Sequence, residues 1–271
     1  MFTYQQLTPA FGVELSDTTL LDLTDDGLDQ LQQLAAERGV VVARGQTMTP
    51  SEQVTFGRRL GELFTTPMNS DATPDELLVI KADEKSKRVA GQGWHSDVSS
   101  ETMPPGLSML RMEVVPESGG DTLFADMYQA YATLSEEMQR IVERLHARHE
   151  PRGHYLYLSG AKRLDELPHA VHPMVRLHPR TGRKALYVNA GFVSRIVELS
   201  HRESDALLNM LYDHIAYNVS AQIRVQWAPH TVVFWDNRVV QHHAAFDYFP
   251  QTRRGYRLTV RGEEPVPALA T

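Results

Sequence analysis

The chain has 271 residues, 42% of them hydrophobic, which is enough for one large domain with a sizeable core. Its formal net charge of −7 argues against a nucleic-acid partner, because binding a phosphate backbone normally requires a concentrated basic surface. The absence of cysteine excludes disulfide bonds, thiolate metal sites and cysteine nucleophiles.

The first residues of the chain lack the basic and apolar regions of a secretory signal, and no apolar run approaches transmembrane length. We therefore expect a cytoplasmic protein with no membrane partner. Apolar residues at helical spacing from Leu28 to Ala35 predict a helix that ends at Gly39. The Val40-Val41-Val42 run that follows predicts a buried strand.

Three capping patterns predict the starts of further helices. The first begins at Thr49, with proline at the first helical position, and predicts a helix to about Leu60. The same start signal recurs at Thr133, with Glu136, and at Ser200, with Glu203. The last helix should pack on the core through one stripe: Leu207, Met210, Leu211, His214 and Ile215. This predicts that His214 lies at the edge of the core and is not a metal ligand.

Short β-rich runs lie between these helices, at 77–80, 107–110, 186–188, 223–227, 231–235 and 257–260. Strands of this length, separated by turns and long excursions, fit a double-sheet jelly roll better than a parallel α/β sheet. We expect a mainly β protein with flanking helices, formed by a single domain over 1–271. Residues at about 126–221 would form a large insertion between core strands.

His95, Asp97 and a distal histidine provide two imidazoles and one carboxylate, a set that suits non-haem Fe(II) and its oxygen chemistry. On an extended strand end, His95 and Asp97 would point to the same face. The distal ligand is ambiguous, because the adjacent His242 and His243 would point to opposite sides of a strand. A His-x-Asp triplet alone is weak, and is more often a hydrogen-bonded pair than a metal site.

Four ordered blocks strengthen this interpretation: Arg44-Gly45-Gln46, Trp94-His95-Ser96-Asp97-Val98, Gly119-Gly120-Asp121-Thr122, and Trp235-Asp236-Asn237-Arg238 leading to Gln241-His242. Through them most of the chain resembles the taurine/alpha-ketoglutarate dioxygenase family, which also includes aryloxyalkanoate and alkylsulfate dioxygenases. The resemblance implies a double-stranded β-helix, the cofactors Fe(II), 2-oxoglutarate and O2, and His95, Asp97 and His242 as catalytic metal ligands.

The resemblance also implies a binding site for the keto acid. Arginine can hold a carboxylate in a bidentate grip, and Arg253 lies eleven positions after His242. In the family, an arginine at this offset and the threonine of the Gly-Gly-Asp-Thr block, Thr122 here, bind the far carboxylate of 2-oxoglutarate. Arg257, on the same strand face as Arg253, would contact an acidic group of the substrate or the near end of the keto acid. Arg254 is expected to face solvent.

The substrate region departs from that of taurine dioxygenase, which uses a histidine and a tyrosine upstream of its metal motif. The comparable stretch, 63–69, contains neither residue type, and Ser99-Ser100 replaces a frequent Thr-Phe pair. Taurine is therefore disfavoured as the substrate. We expect the substrate wall to include Asn69, Val98, Ser99 and Ser100, and to admit a bulkier molecule. Trp94 and Trp235 either shield the site from water or simply pack in the core.

The sequence therefore predicts an Fe(II)- and 2-oxoglutarate-dependent dioxygenase that hydroxylates an anionic small molecule, or cleaves it after hydroxylation, and releases succinate and CO2. One alternative is a zinc hydrolase with the same three ligands, although the chain has no His-Glu-x-x-His signature. A second alternative is a non-catalytic metal- or ligand-binding member of the fold. The outer helices offer apolar surface through which the chain could form a homo-oligomer.

Overall fold

The computed structural model describes residues 2–65, 73–89, 91–152 and 161–269. Within them, the helices are α1 (Asp25–Arg38), α2 (Pro50–Leu60), α3 (Met127–Ala132), α4 (Glu136–Val142) and α5 (His201–Tyr217). The strands are β1 (Tyr4–Gln6), β2 (Val13–Leu15), β3 (Val40–Ala43), β4 (Leu78–Ala82), β5 (Pro105–Val114), β6 (Thr122–Asp126), β7 (His146–His149), β8 (Ala170–Pro173), β9 (Val175–Leu177), β10 (Lys184–Leu186), β11 (Val193–Ile196), β12 (Gln222–Val225), β13 (Val232–Asp236), β14 (Val240–Ala244), β15 (Arg253–Arg261) and β16 (Val266–Pro267).

Two sheets form the centre of the molecule. The larger has seven strands in the order β1-β2-β3-β13-β5-β15-β4, and the smaller has the order β12-β6-β14. All of their strand pairs are antiparallel except β2 with β3. Phe124 of the small sheet packs against Trp235 of the large sheet, with ring centroids 5.8 Å apart. The predicted mainly β jelly roll with flanking helices is confirmed.

The large sheet is buried on both faces at its centre. Val40 and Val42 belong to the core between the two sheets. Val41 and Phe234 face the opposite side, in a second core that also contains apolar residues of α1 and α2. Burial on both faces explains why β3 is a continuous apolar run and does not alternate with polar residues.

The helix boundaries follow the predicted capping signals with one exception. Gly39 ends α1 with φ of 74°, and complete capping boxes open α2 at Thr49 and α5 at Ser200. The predicted helix start at Thr133 is wrong. Ser135 caps α4 instead, because the backbone N–H of Thr133 donates to carbonyl oxygens of the preceding helix and Thr133 therefore closes α3.

The predicted stripe of α5 is shifted. Leu211 and Ile215 are buried as expected, but Leu208 is more buried than Leu207, and Met210 is 38% exposed. His214 lies at the edge of the core as predicted, with Nε2 2.9 Å from the carbonyl oxygen of Ala130. The helix therefore turns a slightly different face to the core than its apolar pattern indicates.

The segment between β6 and β12, two strands that pair with each other, contains α3, α4, β7 to β11 and α5. It contributes to two additional three-stranded sheets, β11-β7-β8 and β10-β9-β16. Since β6 lies between β12 and β14, this long excursion begins beside the strand that carries His242 and ends on the other side of β6. No helix in the described part of the chain is long and apolar enough to cross a membrane.

Candidate metal and 2-oxoglutarate site

The two histidines of the predicted metal set face each other across an isolated antiparallel bridge. The backbone N–H of His95 donates to the carbonyl oxygen of His242 at 3.2 Å, and the N–H of His242 donates back at 2.9 Å. Directly opposed residues of an antiparallel pair project their side chains from the same face. The imidazole centroids consequently lie 4.1 Å apart. His243 points elsewhere and meets the edge of Trp94.

Asp97 completes the set from a turn. The predicted strand end is wrong here, because His95 forms only a single bridge and Asp97 begins the turn that follows. Asp97 Oδ1 lies 3.9 Å from His95 Nε2 and 3.8 Å from His242 Nε2. The three possible ligand atoms all lie within 4.8 Å of one another, and all three residues are buried. This spacing and donor set fit one metal ion with other positions open.

The protonation states also fit metal binding. His95 Nδ1 lies 3.0 Å from the carbonyl oxygen of Gly93, which can only accept, so Nδ1 carries the proton and the Nε2 lone pair is free to ligate. Burial lowers the pKa of His95 and places that of His242 well below its ordinary value, although Asp97 opposes this in both cases. Both imidazoles are therefore neutral at neutral pH, as metal binding requires.

Asp97 is the one permanent anion of the set. Burial alone would raise its pKa, but Arg257 and the two imidazoles outweigh burial and lower the pKa to about 2. Arg257 Nη1 donates to Asp97 Oδ1 at 2.6 Å, and Ser108 Oγ donates to Oδ2 at 2.8 Å. The carboxylate is thus ionised and held from both sides before any metal binds.

A cavity of about 210 Å³ opens beside these three residues. Its walls are mainly apolar, from Leu78, Ile80, Trp94, Leu110, Phe192 and Trp235, with small residues at Gly91, Gly93, Ala190, Gly191 and Ala244. Gln92, Thr122, Arg253 and Arg257 add polar groups to the lining, which also includes the three residues of the metal set. Both tryptophans therefore border the cavity, and Trp235 also packs in the core between the sheets.

Arg253 is a buried cation without an acidic partner in the described part of the chain. Only 5% of it is exposed, its Nε donates to the carbonyl oxygen of Gly120 at 3.1 Å, and its guanidinium lies 5.6 Å from the ring centre of Trp227. Burial lowers the pKa of Arg253 from its ordinary value. Asp121 opposes this only through its charge and forms no ion pair with Arg253, so the buried guanidinium has capacity for an anionic ligand.

Thr122 and Arg253 both contact the side chain of Trp227. Trp227 Nε1 donates to Thr122 Oγ1 at 3.0 Å, so the Thr122 hydroxyl hydrogen remains available to a ligand. The preceding glycines have a physical role, because Gly119 and Gly120 both adopt positive φ, of 78° and 72°. A Cβ on Gly120 would also come within 3.3 Å of the Arg253 side chain. The Gly-Gly-Asp-Thr block therefore brings the backbone close to the arginine.

Comparisons with known proteins identify the family. The family model described as "Taurine catabolism dioxygenase TauD, TfdA family" matches residues 3–260. The chain belongs to this family. It is accordingly a 2-oxoglutarate-dependent non-haem iron dioxygenase that uses Fe(II), 2-oxoglutarate and O2, and the predicted family and reaction class are confirmed.

Several relatives cover nearly the whole chain. An alpha-ketoglutarate-dependent sulfonate dioxygenase from Saccharomyces cerevisiae is 37% identical over 98% of this chain and 68% of its own length. An alpha-ketoglutarate-dependent sulfate ester dioxygenase from Pseudomonas putida is 32% identical over 94% of this chain and 86% of its own. The crystal structure of a taurine dioxygenase from Burkholderia xenovorans is 31% identical, covering 98% of this chain and 93% of its own, with a TM-score of 0.85.

The predicted substrate wall needs correction within this family framework. Ser99 is fully buried, with Oγ 2.9 Å from His149 Nδ1 and 3.0 Å from Asn189 Nδ2, and Ser100 is only 1% exposed. Neither serine borders the cavity, and neither does Val98, which has a φ of 38° in the turn after Asp97. These residues shape the turn behind the metal set. Asn69 lies outside the described residues.

Other residues of the site were not predicted. Phe192 and the Ala190-Gly191 pair reach the cavity from the long excursion, and Ser108 and Asn237 hold Asp97 from beneath. Asn237 had a visible signal, because it stands in the Trp-Asp-Asn-Arg block. Ser108 lies inside an apolar strand, where the sequence alone does not distinguish it from an ordinary buried serine.

Proposed function

We propose that His95, Asp97 and His242 bind Fe(II), and that Arg253 and Thr122 bind the far carboxylate of 2-oxoglutarate. The observation that carries this assignment is Arg253, a cation that is 5% exposed and that borders the metal-side cavity without an acidic partner in the described residues. A dicarboxylate that chelates the metal through its keto end leaves its second carboxylate several atoms away, where a buried guanidinium compensates it.

Fe(II) with 2-oxoglutarate and O2 supplies the oxidising chemistry, in which decarboxylation to succinate and CO2 accompanies hydroxylation of a substrate C–H bond. The protein's own residues contribute position. The cavity walls hold the target carbon near the metal set, and Trp94 and Trp235 exclude bulk water. When the hydroxylated carbon carries a sulfonate or sulfate-ester group, the product collapses to a carbonyl compound and releases sulfite or sulfate.

We further propose that Arg257 binds the anionic group of the substrate. Its Nη1 already contacts Asp97, but the Arg257 side chain is 18% exposed and lines the cavity, so the guanidinium retains donors for a second anion. Relatives that act on sulfonates and sulfate esters support an anion of this class. Arg257 would thus place the head group beside the metal set.

The substrate's body is expected to be apolar. Leu78, Ile80 and Phe192 face the cavity, and Asp97 is the only acidic residue in its described lining. Since Asp97 is already committed to the metal set and Arg257, a substrate ammonium would find no free carboxylate there. An alkyl or aryl sulfonate or sulfate ester therefore fits better than taurine, whose amine needs a counter-ion or hydrogen-bond acceptor.

The first test is an anaerobic titration of the metal-free protein with Fe(II) and 2-oxoglutarate, monitored in the visible range. The expected result is the weak charge-transfer band of a chelated keto acid, followed by succinate release when O2 and an alkyl sulfonate are added. Zinc hydrolysis would instead give metal binding without the band and turnover without keto acid. That result would overturn the residue assignments and the substrate proposal together.

Substrate class is tested by comparing succinate formation with taurine and with apolar sulfonates of equal or greater length. We expect a higher kcat/KM for the apolar compounds, because their bodies match the cavity walls. Preference for taurine would contradict the proposed apolar body while leaving the metal assignment intact. A cytoplasmic location and self-association remain predictions from the sequence, to be checked by cell fractionation and by light scattering.

A further inference from the structure

The two carboxylate oxygens of Asp97 have different surroundings. Oδ1 faces both imidazoles, at 3.9 and 3.8 Å from their Nε2 atoms, and also accepts from Arg257. Oδ2 faces away from them and accepts a hydrogen bond from Ser108 Oγ at 2.8 Å. Ser108 is itself completely buried. One oxygen is therefore presented to the metal, while the other is occupied by a protein donor.

Asn237 fixes the direction of this hydrogen bond. Its Nδ2 donates to Ser108 Oγ at 2.9 Å, and an amide nitrogen can only donate, so Ser108 has its single hydrogen left for Asp97. The orientation of the Asn237 amide is fixed in turn, because its Oδ1 accepts from the Asp97 backbone N–H and from Trp235 Nε1, both at 3.1 Å. Asp97, Asn237 and Ser108 thereby close a ring of three hydrogen bonds inside the core.

We propose that Ser108, oriented by Asn237, is a positioning residue that keeps Asp97 bound to the metal through Oδ1 alone. A carboxylate that chelated with both oxygens would take an additional coordination position, and the keto acid and O2 need the open positions of this ligand set. The ring prevents this, since Oδ2 cannot turn to the metal without breaking its bond to Ser108. This inference rests on the proposed assignment of Asp97 as a metal ligand.

The test compares two buried hydroxyls that differ in one contact. Ser108→Ala removes the donor to Asp97 Oδ2. Thr259→Val is the matched control, because Thr259 Oγ1 lies 3.4 Å from Ser108 Oγ but no contact joins it to Asp97. Metal-free wild type and both variants are titrated with Co(II), whose visible absorption responds to coordination number, and their thermal unfolding is recorded without metal.

We expect Ser108→Ala to raise the Co(II) dissociation constant by about 10- to 100-fold, because removing a hydrogen-bond partner of a metal ligand typically weakens metal binding by this amount. Its Co(II) absorption should also move towards that of a higher coordination number, with a weaker response to 2-oxoglutarate. Thr259→Val should resemble wild type, and Ser108→Thr, which restores a hydroxyl, should recover most of the wild-type affinity and spectrum.

A merely structural role gives a different pattern. In that case Ser108→Ala and Thr259→Val would lower the melting temperature alike and leave both affinity and spectrum at wild-type values, which overturns the proposal. Asn237→Ala provides a second route if Ser108→Ala is unstable, since the freed Ser108 hydroxyl should give the same spectral change. Co(II) and keto-acid binding by wild type with no effect of either variant rejects only the positioning role, whereas no binding by wild type rejects the site itself.

Discussion

The described residues include two pairs of buried histidines, and of these two pairs only His95 and His242 line the cavity described above. His95 and His242 meet across a bridge, with Asp97 between them. His149 and His172, with ring centroids 5.0 Å apart, pack instead against Tyr187. Burial lowers the pKa of every one of these four histidines. Burial and a low pKa therefore do not distinguish a metal site from a packed core.

The difference lies in the neighbours. His149 Nδ1 meets Ser99 Oγ at 2.9 Å and His172 Nε2 meets the carbonyl oxygen of Glu101 at 3.0 Å, so each ring is tied to the turn that follows Asp97. In the described residues, only His95, Asp97 and His242 bring a carboxylate together with two imidazoles at ligand spacing. The second pair supports the turn on which the metal-site carboxylate stands.

The largest effect should separate the two pairs directly. His95→Ala removes a metal ligand, so iron-dependent succinate formation should fall by more than about 100-fold, beyond what loss of an outer partner costs. His149→Ala should keep iron binding but lower the melting temperature. Activity is measured as succinate release and binding by Fe(II) titration. Normal succinate formation by His95→Ala would contradict the assigned metal face.

Arg253→Ala tests whether Arg253 binds the far carboxylate of 2-oxoglutarate in the cavity beside His95 and His242. A hydrogen bond to a charged group contributes about 1.5–3 kcal/mol, so its loss should weaken 2-oxoglutarate binding roughly 10- to 100-fold. Iron affinity should change little. Arg254→Ala is the control, because Arg254 pairs with Glu113, away from the metal set. Equal keto-acid affinity in both variants would count against the clamp.

The pair at 149 and 172 should make the fold sensitive to acid. Burial lowers the pKa of His172 from 6.5 to about 4, so between these pH values His172 is protonated in the unfolded chain but neutral in the folded chain. The stability that the folded state gains by keeping His172 neutral is fully present above pH 6.5 and is lost as the pH falls towards 4. Between pH 7 and 4.5, His172→Gln should reduce the loss in unfolding free energy by about 2–3 kcal/mol.

Urea unfolding in the presence of a chelator measures this effect without metal. The exposed His201 at the start of α5 supplies the control, as His201→Gln. If His172→Gln and wild type lose the same free energy on acidification, the second pair does not cause the acid sensitivity.

The smallest effect is expected beside the metal set. His243→Ala should leave iron affinity and turnover within about threefold of wild type, since the His243 ring packs against Trp94 and is not one of the proposed metal ligands. His242→Ala should abolish iron binding. A comparable loss in both variants would mean that the strand presents the neighbouring histidine to the metal.

The sequence predicted those parts of the site that depend on local spacing or on recognisable blocks. Arg253 and Arg257 both line the cavity, as their even spacing on β15 indicates. The role of Ser99 could not be predicted, because it depends on His149 and Asn189, which arrive from the long excursion. The contact of Ser108 with Asp97 could not be predicted for the same reason, since only the folded sheet brings β5 next to the turn that contains Asp97.

In the fold, capping motifs predicted α2 and α5 because their signals are local. The start of α4 was misplaced because Thr133 and Ser135 can both cap a helix, and the choice depends on where α3 ends. The α5 stripe was misjudged by about one position, since the apolar pattern does not define which face contacts the rest of the core.

The bridge between His95 and His242 has a consequence for biosynthesis. The two residues lie on opposite sides of the long excursion between β6 and β12, so a chain still being synthesised has His95 and Asp97 without their partner. If these residues are the ligands, as proposed, the full ligand set exists only after β14 has paired with β6. On the proposed assignment, metal loading would therefore follow completion of the sheets, and an unfinished chain would not hold a redox-active ion in an open site.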